Sequence, residues 1–271
     1  MAKSPLHELS EHGQSVWIDF LSRDMLRSGE LERMMREDAV VGVTSNPTIF
    51  QKAISAGDAY DDQLREVLRE ERDAKEIFIR LASKDVGDAL DILRRVWDEG
   101  GGRDGYVSIE VDPNLAYDTE ATLAEAKRLH QLIDRPNLFV KIPATKEGLP
   151  AIEEMISRGR SINVTLTFSL GRYAEVAEAY VRGLERLVDA GGDPGTVASV
   201  ASFFVSRVDT EADRRLDEIG GPDELKGQLA VANAKLAYQR YKEIFAGERW
   251  ERLRVAGANV QRPLWGSTST K

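Results

Sequence analysis

Cysteine is absent from the 271-residue chain, and histidine is scarce. Without thiols, the chain has no disulfide framework, no zinc–thiolate site and no cysteine nucleophile. The three histidines, His7, His12 and His130, are scattered and match no metal-ligand spacing. We therefore expect no metal site, and any chemistry has to come from other side chains.

An excess of basic residues and long apolar runs are also missing. The chain has 37 Lys and Arg against 46 Asp and Glu, a formal net charge of −9. A general nucleic-acid binder needs a basic face, so we expect no nucleic-acid partner, but a local basic pocket for a small phosphorylated ligand is compatible with this charge. No apolar run approaches the ~20 residues of a membrane span, and the N-terminal MAKSPLHELSEHGQ lacks the apolar core of a signal peptide. The sequence thus predicts a cytoplasmic protein with no membrane partner.

Short apolar segments alternate along the chain with longer charged segments of helical periodicity. The predicted strands are residues 15–20, 40–45, 106–111, 138–143, 162–168, 196–205 and 263–269. The predicted helices are residues 58–98, 117–132, 147–158, 170–190, 206–217 and 222–247. Strands separated by helices favour right-handed βαβ units and a parallel sheet.

Seven strand–helix units nearly complete an α/β fold of the (β/α)8 TIM-barrel type, which typically needs ~250 residues. A doubly wound sheet fits less well, because no strand is followed by the Gly-rich phosphate fingerprint of that fold. No stretch has the composition of a linker. We therefore expect a single barrel domain over residues 1–271.

Successive strand residues point to opposite faces of a sheet, and one face here is aliphatic. We expect that face to pack under the helices; it comprises Val16, Ile18, Phe20, Val107, Ile109, Val111, Ile162, Val164, Leu166 and Phe168. The inward set comprises Trp17, Asp19, Ser108, Glu110, Phe139, Lys141, Asn163, Thr165, Thr167, Ser202, Phe204, Trp265, Ser267 and Ser269. The segment TSNP brings Thr44 and Asn46 to the same rim. Polar side chains at the carboxyl ends of barrel strands mark an active site.

Lys141 stands in the otherwise apolar strand segment NLFVKIPAT. Two structural interpretations are open: the side chain extends to solvent, or it forms a buried pair with a carboxylate. The functional interpretation is that lost solvation favours the neutral, nucleophilic amine, which attacks a carbonyl and forms a Schiff base. A protonated Schiff base is an electron sink for carbon–carbon cleavage, and Asp19 and Glu110 are the available acid/base groups.

Seven sequence blocks then extend in order across the chain: IDFLSRDML, GVTSNPTIFQKAI, VSIEVDP, LFVKIPATKEGLPAIEEM, INVTLTFS, SFFVSRVD and LWGSTSTK. Together they resemble the transaldolase family of Schiff-base aldolases, in particular its longer bacterial subgroup. The resemblance implies a transferase of the pentose phosphate pathway without metal or organic cofactor. Its substrates would be sugar phosphates: a dihydroxyacetone unit moves from sedoheptulose 7-phosphate or fructose 6-phosphate to glyceraldehyde 3-phosphate or erythrose 4-phosphate.

The same resemblance implies a role for each residue of the inward set that matches a family position. Lys141 is the Schiff-base lysine, and Asp19 is the acid/base for bond cleavage. Glu110 and Thr165 position the water that relays protons. The residues that bind substrate are Thr44, Asn46, Asn163, Ser202, Phe204, Arg207 and Ser267, with Arg207 at the phosphate.

The chain departs from the family pattern at its C-terminal end. Many members have an arginine shortly after the residue that corresponds to Ser267; here only Lys271 is a candidate substitute. The chain stops at Lys271, where the family continues with an eighth strand and helix. We expect a barrel truncated after strand 7. Such a barrel would have two unpaired edges, which closure normally removes. Either the sequence is a fragment or a shortened form, or a partner segment or a second copy in a homo-oligomer supplies the missing strand.

Two alternative functions stay open at this point. A fructose 6-phosphate aldolase would use the same lysine and release free dihydroxyacetone, but Phe204 favours the transaldolase, since the aldolase branch tends to have a tyrosine there. A non-catalytic barrel fragment that acts by association is the second alternative.

Overall fold

A computed structural model describes residues 4–268. Over that range the strands are β1 (Val16–Ile18), β2 (Val40–Val43), β3 (Tyr106–Glu110), β4 (Leu138–Pro143), β5 (Ile162–Thr167), β6 (Ser199–Phe204) and β7 (Arg262–Gly266). They lie in one seven-stranded sheet in chain order. The register is defined for the pairs β1–β2, β2–β3, β5–β6 and β6–β7, and each of these pairs is parallel.

Helices fill the connections between these strands. They are α1 (Pro5–Glu11), α2 (Arg23–Arg27), α3 (Glu30–Glu37), α4 (Pro47–Ser55), α5 (Asp61–Val67), α6 (Ala74–Glu99), α7 (Thr119–Ile133), α8 (Gly148–Ser157), α9 (Leu170–Asp189), α10 (Ser206–Glu218), α11 (Leu229–Ile244) and α12 (Gly247–Val255). Short 3-10 turns lie at Pro113–Leu115, Pro194–Thr196 and Asp223–Leu225. The α/β class and the strand order of a TIM-barrel type of fold, over seven strand–helix units, are thereby confirmed.

The seven strands fall where the sequence predicts them, whereas two predicted helices have different limits. The predicted helix over 58–98 is two helices, α5 and α6, separated by residues 68–73. The break is made by side chains: Glu71 Oε1 accepts from the amides of Arg72 (2.7 Å) and Asp73 (2.9 Å), and Asp73 caps α6. The predicted helix over 222–247 begins as α11 only at Leu229. Helices α1 to α4 and α12 were not predicted; each has nine residues or fewer.

The chain divides into two compact units. The first comprises Met1–Asp112 and Lys127–Val140, and the second comprises Pro113–Ala126 and Lys141–Lys271. The interpretation of the chain as one barrel domain stays a prediction. Each unit is described by itself below.

An aromatic layer lies on the inward face of the first unit. The Phe139 ring stacks on Tyr106, with centroids 4.1 Å apart, and on Trp17 at 6.1 Å. Gly42 of β2 completes the layer, because a Cβ on this residue would lie 2.4 Å from the Trp17 ring. The contact confirms that Trp17 and Phe139 share a face, as strand alternation predicts.

The core of the second unit lies between its strands and the helices α8 and α9. Ile152, Met155 and Ile156 of α8 are fully buried, as is Val176 of α9. Tyr173 of α9 meets Phe203 of β6 edge to face, with ring centroids 6.2 Å apart. This packing fixes the outer face of β5 and β6, so that their opposite face is the one that carries the predicted site residues.

Candidate active site

Asp19 lies directly after β1 and is exposed. Its Oδ1 accepts a hydrogen bond of 2.8 Å from Thr44 Oγ1, and the Thr44 amide donates to Ile18 O at 2.8 Å. An aspartate at a strand end commonly caps the next helix, but here Ser22 caps α2 by accepting from the Met25 amide. Asp19 is therefore oriented by a threonine and keeps carboxylate oxygen available for proton transfer.

Asn46 sits at the start of α4, where the sequence TSNP places it before Pro47. Its Oδ1 accepts from the Ile49 amide at 3.0 Å, which makes it the N-cap of the helix. The preceding residue, Ser45, donates to Ser108 O at 2.6 Å and so ties this segment to β3. Because the side-chain oxygen is engaged, Asn46 can offer a ligand the two N–H donors of its amide group.

Glu110 ends β3 and is half-buried. Beside it and Asn46 lies a cavity of ≈ 20 Å³, whose other lining residues are mostly apolar and include Phe50, Ile109 and Leu129. A cavity of this size holds about one water molecule. It is too small for a sugar phosphate, so this space is not itself a substrate pocket.

Lys141 is buried in the middle of β4, with a fractional exposure of 6%. The next residue, Ile142, is fully buried, and Ala144 is nearly so. The side chain is therefore held inside the second unit, and the interpretation in which it extends to solvent is wrong. Lysine is rarely buried to this extent, which leaves a paired structural lysine or a functional amine.

Asn163, Thr165 and Ser202 are all buried on neighbouring strands of the second unit. Ser202 Oγ donates to Asn163 Oδ1 at 2.8 Å, which fixes the orientation of the Asn163 amide group. Thr165 O accepts from the Ala144 amide at 2.8 Å, so the end of β4 lies beside the middle of β5. Within this unit the structure brings together the polar groups that the alternation rule placed on one face.

Phe204 and Arg207 lie at the junction of β6 and α10. Phe204 is half-buried, and Arg207 is exposed in the first turn of the helix. The Arg207 guanidinium carbon is 5.0 Å from the centroid of the Phe204 ring, a cation–π contact. Arg207 is thus directed by the aromatic ring while its charge stays accessible to an anion.

Ser267 follows β7 with φ 54°, in the left-handed region. Its carbonyl accepts from the Ser206 amide at 2.7 Å, and the two hydroxyl oxygens are 2.6 Å apart. The sequence analysis did not identify Ser206 as a candidate site residue. Its position next to Arg207 was the one signal that could have indicated it. Ser269, Thr270 and Lys271, including the candidate substitute for arginine, lie outside the residues that the structure describes.

The expectation that one face of each strand packs under helices is wrong at three positions. Phe20 has a fractional exposure of 53%, Phe168 of 39% and Leu166 of 37%. Phe20 lies beyond the end of β1, where the alternation no longer applies. Leu166 and Phe168 are exposed because the pairing of β5 with β6 shifts by one residue after Val164. The same shift places Thr167 beside Phe203, on the helix-covered face, so the prediction that Thr167 points inward is wrong. The sequence carries no glycine or proline to signal this irregularity.

A parallel α/β sheet in chain order, with a buried lysine and polar side chains at the carboxyl ends of its strands, defines the class of barrel-type α/β enzymes. Comparison with known proteins narrows this class. A family model described as transaldolase/fructose-6-phosphate aldolase matches residues 16–271. The chain belongs to that family.

Curated relatives agree with the family match. The chain is 54% identical to a transaldolase of Frankia alni, over 99% of this chain and 73% of the relative. It is 56% identical to transaldolase 1 of Streptomyces avermitilis, over 98% of this chain and 71% of the relative. Identity to a transaldolase of Acidothermus cellulolyticus is also 56%, over 98% and 72% of the two chains. The chain is therefore an enzyme of the transferase class.

Proposed function

We propose that the chain transfers a dihydroxyacetone unit from sedoheptulose 7-phosphate or fructose 6-phosphate to an aldose phosphate. The acceptor is glyceraldehyde 3-phosphate or erythrose 4-phosphate, and the reaction belongs to the pentose phosphate pathway. The observation that carries the proposal is the buried Lys141 in β4 of a chain whose relatives are transaldolases. A poorly solvated amine is the nucleophile that covalent ketose chemistry needs.

Lys141 performs the covalent step. Its neutral amine attacks the C2 carbonyl of the ketose phosphate, and loss of water gives a protonated imine that links Nζ to C2. Burial of Lys141 keeps the amine and the imine away from bulk water. Glu110 and Thr165 hold the water that shuttles protons during formation and hydrolysis of this imine.

Asp19 then accepts the proton of the C4 hydroxyl. The C3–C4 bond breaks, its electron pair moves into the imine to form an enamine, and the aldose phosphate leaves. In the second half-reaction the enamine carbon attacks the carbonyl carbon of the acceptor aldehyde. The aldehyde oxygen then takes the proton from Asp19 and becomes the new hydroxyl. The hydrogen bond from Thr44 keeps the carboxylate in one orientation for both transfers.

The remaining candidate site residues bind the substrate. Asn46 and Asn163 donate to hydroxyls of the dihydroxyacetone unit, since the side-chain oxygen of each already accepts a hydrogen bond. Thr44 contributes a further hydroxyl to substrate binding, and Ser202 and Phe204 line the pocket. Arg207 and Ser267 bind the substrate phosphate, for which a guanidinium fork is well suited.

The cytoplasm, where soluble sugar phosphates are available, is the proposed compartment. The proposed partners are these small molecules and, in a homo-oligomer, a second copy of the chain. The domain is proposed to be a single barrel over residues 1–271. Light scattering of the purified chain will measure whether it is a monomer or a homo-oligomer.

A transfer assay tests the proposal. The chain is incubated with fructose 6-phosphate and erythrose 4-phosphate, and sedoheptulose 7-phosphate and glyceraldehyde 3-phosphate are quantified. We expect both products in equal amounts, none from Lys141→Arg, and normal activity from the control Lys146→Arg, which changes an exposed lysine on the same segment. No transfer by the folded chain would overturn the proposal.

The second candidate function is that of a fructose 6-phosphate aldolase, which the description of the matching family includes. It differs from the first in the fate of the three-carbon intermediate, which would be released as free dihydroxyacetone. Phe204 supports transfer, because its ring has no hydroxyl to help deliver water. Rapid release of dihydroxyacetone without an acceptor would favour the aldolase instead.

A further inference from the structure

Strand β5 contains a β-bulge in the middle of the candidate site. Its pairing with β6 runs in register to Val164↔Ala201 and resumes at Thr167↔Phe203. Two residues of β5, Thr165 and Leu166, therefore face one residue of β6, which is Ser202. Leu166 has φ 60°. This left-handed conformation is unfavourable for a leucine, and such strain is often held at functional sites.

After the bulge, each residue of β5 points to the face opposite to the one that simple alternation predicts. Before the bulge, Asn163 pairs with Val200. Val200 lies on the same face of β6 as Ser202 and Phe204, which follow two and four residues later. After the bulge, Thr167 pairs with Phe203 and is fully buried on the opposite face. The next residue, Phe168, consequently joins the face of Phe204.

The ring of Phe168 makes the contact that this exchange of faces requires. Its centroid lies 5.2 Å from that of Phe204 at an interplanar angle of 39°. Phe168 is 39% exposed, so one side of the ring meets Phe204 while another is accessible. An aromatic pair at the carboxyl ends of β5 and β6 therefore stands beside Ser202 and the predicted phosphate ligand Arg207, which itself contacts the Phe204 ring.

The backbone at Phe168 is fixed on both sides. Its carbonyl accepts from Asn233 Nδ2 of α11 at 2.9 Å. The next residue, Ser169, caps α9 by accepting from the Arg172 amide at 3.2 Å. Phe168 is thus held between the bulge, a helix cap and a contact from α11, which is the rigid support that a specificity-determining side chain needs.

We propose that Phe168 is a specificity-determining residue that favours transfer over release of the three-carbon intermediate. This inference rests on the proposed function. After cleavage, the enamine on Lys141 has two fates. It forms a carbon–carbon bond to an aldehyde, or it takes up a proton and water then adds to C2, which frees the amine and releases dihydroxyacetone. Both fates end with hydrolysis of an imine, but only the second requires an ordered water that delivers a proton to the enamine carbon. The paired rings of Phe168 and Phe204 offer such a water no hydrogen-bond partner.

The test measures the ratio of dihydroxyacetone released to dihydroxyacetone transferred. Fructose 6-phosphate is the donor, with and without erythrose 4-phosphate, for the unmodified chain and for Phe168→Tyr and Phe168→Leu. We expect Phe168→Tyr to raise the ratio by about tenfold, because its hydroxyl can bind a water; this is within the range that one pocket contact contributes to specificity. Phe168→Leu should raise the ratio less, because its smaller side chain stays apolar and only opens space beside Phe204. Phe245→Tyr is the matched control, because Phe245 packs against Tyr241 and Trp250, and its ratio should not change.

Borohydride trapping with fructose 6-phosphate separates the possible failures. Adduct formation by the unmodified chain and by both Phe168 variants, with an unchanged ratio, would overturn this inference and leave the proposed function intact. Absence of an adduct from the unmodified chain would overturn both. The leucine variant has a smaller apolar side chain at a position that is 39% exposed, so a folded protein is retained even where the tyrosine hydroxyl is not accommodated.

Discussion

At the scale of single residues, the candidate site is organised by hydroxyl groups. One short side-chain hydrogen bond connects each of three pairs: Thr44 with Asp19, Ser202 with Asn163, and Ser206 with Ser267. In the first two pairs the hydroxyl donates to an oxygen of a residue with a proposed catalytic or binding role. Such contacts fix side-chain orientation, which is a large part of what an enzyme adds to a reaction.

Replacement of Thr44 tests the first of these contacts. Thr44→Val removes the donor to Asp19, and we expect kcat to fall by about tenfold with little change in stability, because the misoriented carboxylate is less effective in proton transfer. Thr44→Ser keeps the hydroxyl and should retain most of the activity. Steady-state kinetics of both variants provide the measurement, with Thr48→Val on the exposed face of α4 as the control. Equal activity of the valine and serine variants would show that the contact is not used.

Replacement of Ser206 tests the support of Ser267. Ser206→Ala removes the hydroxyl partner, and we expect KM for fructose 6-phosphate to rise about fivefold, the effect of one neutral hydrogen bond. Turnover of unphosphorylated fructose should not change, because only the phosphate contact is weakened. The control is Ser199→Ala, which removes a buried hydroxyl that lies in β6 and donates to Ile162 O. A parallel loss for both sugars would contradict the assignment.

At the scale of secondary-structure elements, a buried polar network connects α2, which follows Asp19 in the chain, with α5 and α6. Arg23 Nε and Asp85 Oδ1 are 2.8 Å apart, and Tyr60 donates to Asp85 Oδ2 at 2.7 Å. Arg23 also donates to Gln63 Oε1 at 2.5 Å and lies over the Tyr60 ring. Burial raises the pKa of Asp85 above its ordinary value, but its hydrogen-bond donors favour the charged form.

Removal of one partner of this network should be costly. Asp85→Asn leaves the Arg23 charge buried without its counter-ion, and we expect the free energy of unfolding to fall by about 3 kcal/mol, as for other buried pairs that lose one member. Urea denaturation gives the value. Asp88→Asn, which breaks an exposed pair with Lys84 one turn further along α6, should change the free energy of unfolding by a few tenths of a kcal/mol at most. Similar losses for the two variants would contradict the network's role.

Helices α9 and α12 are connected by Arg249, which donates to Glu185 Oε1 and Glu178 Oε2 at 2.7 and 2.8 Å. The hydrogen bond from Arg249 lowers the pKa of Glu185. A carboxyl whose pKa is lowered by folding stabilises the native state above its unfolded pKa, and this stabilisation is lost as the pH falls through its folded pKa.

Arg249→Ala should therefore destabilise the chain in a pH-dependent way. We expect the free energy of unfolding to fall by about 0.5–1 kcal/mol at pH 7, since these groups are partly exposed and screened. The difference from the unmodified chain should shrink at a second, acidic pH below the lowered folded pKa of Glu185, where the carboxyl is protonated in both states. Denaturant titrations at the two pH values measure it, and a difference that does not depend on pH would exclude the ionic explanation.

The scale of elements also separates what the sequence predicts well from what it does not. Strands are found where apolar runs lie between turn residues, because their signal is local. The break between α5 and α6 was missed because it depends on side-chain caps from Glu71 and Asp73 within a continuous charged segment. The bulge at Leu166 was missed for a related reason: tertiary packing imposes the left-handed backbone on a residue whose own propensity opposes it.

At the scale of the whole molecule, the strand order and the family come from features spread along the chain. Alternating apolar and amphipathic segments predict the parallel α/β sheet, and the polar residues of the strands predict the site within each unit. Membership of the transaldolase/fructose-6-phosphate aldolase family is confirmed by a match that covers nearly the whole chain. That the polar residues of the two units share one cavity stays a prediction, as do the roles of the individual side chains.

Borohydride trapping will show whether Lys141 forms the proposed Schiff base with a ketose phosphate. The chain is incubated with fructose 6-phosphate, reduced with borohydride, digested and mapped by mass spectrometry. We expect a three-carbon adduct on Lys141 that persists in Lys146→Arg and is lost in Lys141→Arg. A folded chain without an adduct, or an adduct on another lysine alone, would contradict it.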